Sequence, residues 1–140
     1  MLHNRETLEQ NHKRFVSRIS ESETVWGLNV GSGFASCDSN DTPDTPVIMF
    51  WSDRAYAERA KNPQFPEAQS DSIALFDFLF RWLPGMSKDG AIAGTNWTGD
   101  LSGVEIDPAE LQLQLLDAMP VELVERYKQI ADKMNSGPAG

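Results

Sequence analysis

The sequence predicts an α+β domain: a mainly antiparallel sheet of about five strands with helices packed on one side, including an N-terminal and a C-terminal helix. Two observations carry this. Apolar side chains recur at helical spacing at both ends of the chain, and short apolar runs bounded by Gly, Pro, Asn and Asp fill its middle.

Residues 4–20 read as a helix, with Leu8, His12, Phe15, Val16 and Ile19 on one face and a charged face opposite. Residues 24–30 read as a strand. Gly31-Ser32-Gly33 supplies a turn, because glycine tolerates the positive φ of a tight hairpin, and residues 34–37 return. A polar loop with two prolines follows. The apolar run 47–51 then predicts a strand covered on both faces. Ser52 is the expected N-cap of a helix over 53–61. Ile73 is expected to close a short strand. Residues 75–83 read as a buried helix that Pro84-Gly85 bends or ends. Residues 91–97 and 103–106 form a last pair of strands. Asp107-Pro108-Ala109-Glu110 is a helix start: Asp107 caps, Pro108 takes the first position, and Glu110 is placed to reach back to the cap amide. After Pro120, Leu123, Val124, Tyr127, Ile130, Ala131 and Met134 form a stripe on a further helix.

The 140-residue length suits one core, expected over residues 1–119, with a helical extension over 120–135 and a flexible tail over 136–140. No apolar run approaches the roughly 20 residues of a membrane span, and the first residues have no secretion core. One cysteine, Cys37, cannot build an internal disulfide. A soluble cytoplasmic protein is therefore expected, with no membrane partner. A net charge of −9 repels phosphate backbones, so no nucleic-acid partner is expected.

Val25-Trp26-Gly27-Leu28, Pro46-Val-Ile-Met-Phe-Trp51 with Tyr56-Ala57, Phe78-Leu-Phe-Arg-Trp-Leu-Pro-Gly85 and Asp89-Gly90 resemble one family, the bacterial domain of unknown function 2750. The resemblance covers roughly residues 10–118. It implies a bacterial cytoplasmic α+β domain and supplies no activity.

Several chemistries can be weighed on residue type and spacing. His3, His12 and Cys37 do not form the close ligand pairs of a zinc site, so neither a metal nor a cofactor is expected. The loop from Asp38 alternates like a calcium loop, but Pro43 and Met49 stand where glycine and a bidentate glutamate are required. Cys37 lacks a base other than His12. Gly31-Ser32-Gly33 joins strand to strand, whereas a dinucleotide fingerprint joins strand to helix. Asp100, Glu105, Asp107 and Glu110 cluster near the last strand pair. Trp26, Trp51, Trp82 and Trp97 are expected in the core, Trp97 being the best placed to be exposed.

Charge is unevenly distributed. Eight acids and no lysine or arginine lie between Lys88 and Arg126. The first reading of function is a non-catalytic domain that binds a basic protein through this acidic half, an immunity-like role by analogy. The alternatives are an enzyme with a carboxylate pocket near residues 100–110 and a small-molecule-binding domain with an aromatic cleft around Trp51 and Trp97. The candidate binding residues are Trp51, Trp97, Asp100, Glu105, Asp107 and Glu110, with no catalytic residue assigned. The C-terminal stripe offers a surface either for the chain's own sheet or for a homodimer.

Overall fold

The computed structural model describes residues 5–135, so His3 and the expected tail lie outside the described residues. Helix α1 (Arg5–Ser22) buries Phe15 and Ile19 and leads into β1 (Thr24–Asn29). Strands β2 (Ser36–Asp38) and β3 (Pro46–Phe50) follow, then α2 (Arg54–Ala60) and β4 (Gln69–Ala74). A continuous helical rod comprises α3 (Leu75–Asp77), a π-helical segment (Phe78–Trp82) and α4 (Leu83–Asp89). Strands β5 (Ile92–Thr95) and β6 (Val104–Ile106) precede α5 (Pro108–Ala118) and α6 (Val121–Asn135).

The α+β class holds, and three of the four strand pairings are antiparallel. The strands divide differently from the expected sheet of about five. β1 and β4 form a two-stranded sheet, and β2-β3-β5-β6 form a four-stranded one. The two sheets meet where Trp26 and Trp51 exchange backbone hydrogen bonds of 2.8 and 2.7 Å. The turn at Gly31-Ser32-Gly33 forms, with both glycines at positive φ, but β1 continues onto β4 and only Asn29 and Phe34 bridge across it.

The centre of the larger sheet is a parallel pair, β3 beside β5, in register from Val47–Ile92 to Phe50–Thr95. Alternation along β3 feeds two cores. Phe50 faces the main core with Phe15, Ile19, Phe78, Leu79, Leu111 and Leu115. Val47, Met49 and Trp51 face a second core with Ala57, Ala60 and Trp97. Most helices cover one face, and short α2 supplies the other.

Pro84 does not end the rod. Its ring and missing N–H would disrupt an ordinary helical turn four residues long. The turn ahead of it is already widened, with the Leu83 N–H donating to the Phe78 carbonyl five residues back. The rod ends instead at Gly90, whose φ of 74° closes the C-terminus. Helix α6 is anchored through Tyr127, whose ring stands edge-on to Phe76 at 5.4 Å. The Tyr127 hydroxyl donates to Glu23, at the turn between α1 and β1. Burial, then that bond to Glu23, push the phenol's pKa up. Among the described residues, no helix is long and apolar enough to cross a membrane.

Candidate functional site

The parallel pair determines what its ends can hold. Trp51 directly follows β3, and Asn96 and Trp97 directly follow β5. The Asn96 N–H donates to the Phe50 carbonyl at 2.9 Å, one step past the last pair of the ladder. The chain then turns, with Asn96 at a φ of 49°. Asparagine tolerates this left-handed conformation better than most residues.

The turn aims the Asn96 side chain at the other strand's exit. Its Oδ1 accepts the Ser52 N–H at 2.9 Å. Its Nδ2 donates to Ser52 Oγ at 3.1 Å and to the Asn11 carbonyl of α1 at 3.2 Å. Ser52 therefore is not the N-cap expected from its position. Asp53 occupies the cap position, and α2 starts at Arg54 without a side-chain cap. Asp53 is otherwise engaged, accepting from Ser52 Oγ at 2.7 Å and from both forks of Arg18 at 2.6 Å.

Above this junction lies a cleft of about 280 Å³ between α1 and α2. Trp51 and Trp97 contribute to its lining, 1% and 2% exposed respectively. Trp97 is thus buried, as expected of a core tryptophan, although it is the one best placed in the sequence to be exposed. Gly94 and Gly103 explain this, since a Cβ on either would collide with the indole. The ring lies in the space they leave and donates Nε1–H to the Val104 carbonyl at 2.8 Å. Trp51 likewise donates to the Trp97 carbonyl at 2.8 Å. Tyr56 and Arg59 enter from α2, Asn11 and Arg14 from α1, and Thr98 and Gly99 from the loop after β5. The Arg59 guanidinium stands 5.0 Å from the Tyr56 ring centroid, within cation–π range.

The other candidate residues lie elsewhere. Asp100 bonds to Thr98 within the loop. Glu105 accepts from the Ser39 hydroxyl and from the Asn40 N–H, tying the loop after β2 to β6. Asp107 caps α5, accepting from the N–H groups of Ala109 at 3.0 Å and Glu110 at 3.3 Å. Glu110 makes no return bond to the Asp107 amide among the described residues. Glu105 and Glu110 border a separate groove with Arg5, Glu9 and His12. The six residues therefore do not form one site: Trp51 and Trp97 share the cleft between α1 and α2, and Glu105 and Glu110 share the separate groove.

His12 has a packing role. Its Nδ1 lies 2.7 Å from Thr95 Oγ1 and its Nε2 lies 2.7 Å from Gln114 Oε1, joining α1 to β5 and α5. Burial, then Glu105 and Asp38, push the Cys37 thiol up, away from the thiolate a nucleophile needs. Among the described residues no group of three or more His, Cys, Asp or Glu side chains is placed to hold a metal ion.

Asn11, Arg14, Tyr56, Arg59 and Asn96 carry no motif that marks them as one site. They come from two helices and a strand end, far apart in sequence. The nearest signals are Asn96-Trp97 at the end of a predicted strand and the glycines flanking Trp97.

The chain is a small α+β domain with a cleft at the carboxyl ends of two parallel strands, lined in part by aromatic residues. The chain belongs to the family described as "Protein of unknown function (DUF2750)", which matches residues 12–115 and so includes most of the cleft and excludes α6. No curated protein and no solved structure matches the chain.

Proposed function

We propose that the chain is a small-molecule-binding domain whose site is the cleft between α1 and α2. One observation carries this reading: β3 and β5 run parallel and discharge Trp51 and Trp97 into the same concavity. Ligands of α/β sheets settle outside the carboxyl ends of parallel strands, where loops diverge and backbone groups turn free. The volume, about 280 Å³, is at the lower limit for a small-molecule site. Aromatic walls with a few polar groups are the usual lining of such sites.

Amide spectra of isotope-labelled protein test the reading against a set of small aromatic fragments. Binding in the cleft shifts the Thr98 and Gly99 amides together with the Trp51 and Trp97 indole N–H signals. Asn11→Trp, which fills the mouth from α1, should abolish those shifts. Fragments that shift only signals outside these elements would overturn the reading.

A second reading draws on the acids of the C-terminal half. Asp117, Glu122 and Glu125 on α5 and α6 make no hydrogen bond or ion pair with another described residue. They leave a negative face suited to a basic protein. Capture of a basic partner from native extract should then be lost on Asp117→Lys with Glu122→Lys. Retained capture would remove this reading.

A further inference from the structure

The cleft is electrically unlike the rest of the chain, which has 21 acidic residues against 12 lysines and arginines. Its lining has two arginines, Arg14 and Arg59, and no aspartate or glutamate. We infer that the cleft takes a small planar organic anion, a ring bearing one carboxylate or phosphate, with Arg14 and Arg59 holding the anionic group. This rests on the cleft being the binding site and names the class of ligand.

Both guanidiniums have donors to spare. Neither makes a hydrogen bond or ion pair with another described residue. The nearby acids are committed elsewhere. Asp53 feels the charge of Arg14 but holds Arg18 through both of its oxygens. Glu58, beside Arg59, accepts from Lys61 and from the Ser70 hydroxyl at 2.6 Å. An arginine fork matches the two oxygens of a carboxylate or phosphate, and such charge-assisted bonds are about twice as strong as neutral ones. Tyr56 already carries Arg59 over its face, so a planar ring entering beside the tryptophans would complete a stack of flat groups. The overall negative field favours neither anion, so affinity must come from these local donors.

Benzoate, phenyl phosphate and benzamide are titrated by amide spectra, with Thr98 and Gly99 as reporters. Benzamide has benzoate's shape without its charge. At least about tenfold tighter binding of benzoate or phenyl phosphate than of benzamide is expected. The stronger of the two identifies the oxyanion. Arg14→Gln and Arg59→Gln, both at exposed positions, should each bring the anion down towards benzamide. If benzamide binds as tightly as both anions, the inference falls while the cleft keeps its function. If the reporters shift for none of the three at about 10 mM, both fall. Anion binding undiminished in the Arg14→Gln, Arg59→Gln double variant would also overturn the inference.

Discussion

The Asn96 side chain accepts the Ser52 backbone N–H at 2.9 Å, so a single amide spans the exits of two parallel strands. Ser52 and Asn96 are 4% and 6% exposed, and among the described residues no buried side-chain polar atom is left without a partner. Water cannot replace the bond without opening the sheet end.

Asn96→Ala should therefore cost about 2 kcal/mol, because it strands the buried Ser52 N–H and removes a second bond to the Asn11 carbonyl of α1. Urea unfolding should show a lower midpoint with an unchanged slope. The cleft should loosen too, with broadened Trp97 and Thr98 signals. A midpoint within error of wild type would mean that the junction is held by the ladder alone.

The long helices were legible because their cores follow one periodicity: Phe15 and Ile19 on α1, Leu111 and Leu115 on α5. β4 was visible only at Ile73, since Gln69-Ser-Asp-Ser72 has no apolar alternation and gains its strand structure by pairing with β1. Pro84 has the sequence signature of a breaker, and the π-helical turn that accommodates it leaves no mark on residue type. Trp51 and Trp97 are legible as cleft residues because each stands at the end of an apolar strand run. The acids named with them are dispersed by capping and loop-tethering bonds that depend on tertiary geometry. The arginines carry no sequence signal, because Arg14 and Arg59 come to line one cleft only once α1 and α2 flank the same strand ends.

Two glycines separate packing from propensity. At Gly103 a Cβ would strike the Trp97 indole, and the indole is pinned by its bond to Val104. Gly103→Ala should destabilise by about 1–3 kcal/mol, as overpacking does. At Gly85 a Cβ meets nothing within 4 Å, and the residue lies inside α4. Gly85→Ala should stabilise by up to about 1 kcal/mol through helix propensity. A thermal midpoint for Gly103→Ala that stayed level or rose would contradict the placement of Trp97.

Asp53 makes the same junction sensitive to acid. Burial raises its carboxyl, but the bonds from Arg18 and Ser52, with the charges of Arg18 and Arg14, outweigh it and hold the group below its ordinary value. The unfolded chain therefore takes up this proton more readily than the folded one. The stabilisation is fully present above the unfolded carboxyl's pKa of about 3.9 and is lost as pH falls through the folded value. Asp53→Asn removes the titration and the paired charge. Wild type should thus exceed the variant in urea midpoint near neutral pH, and the two curves should draw together below about pH 4. Arg18 is 52% exposed, so added salt should shrink the neutral-pH gap without closing it, because the two forked bonds persist when the long-range attraction is screened. A gap that stayed constant across the acid range would mean that the carboxylate contributes shape alone, and Arg18 would then be a passenger on the surface of α1.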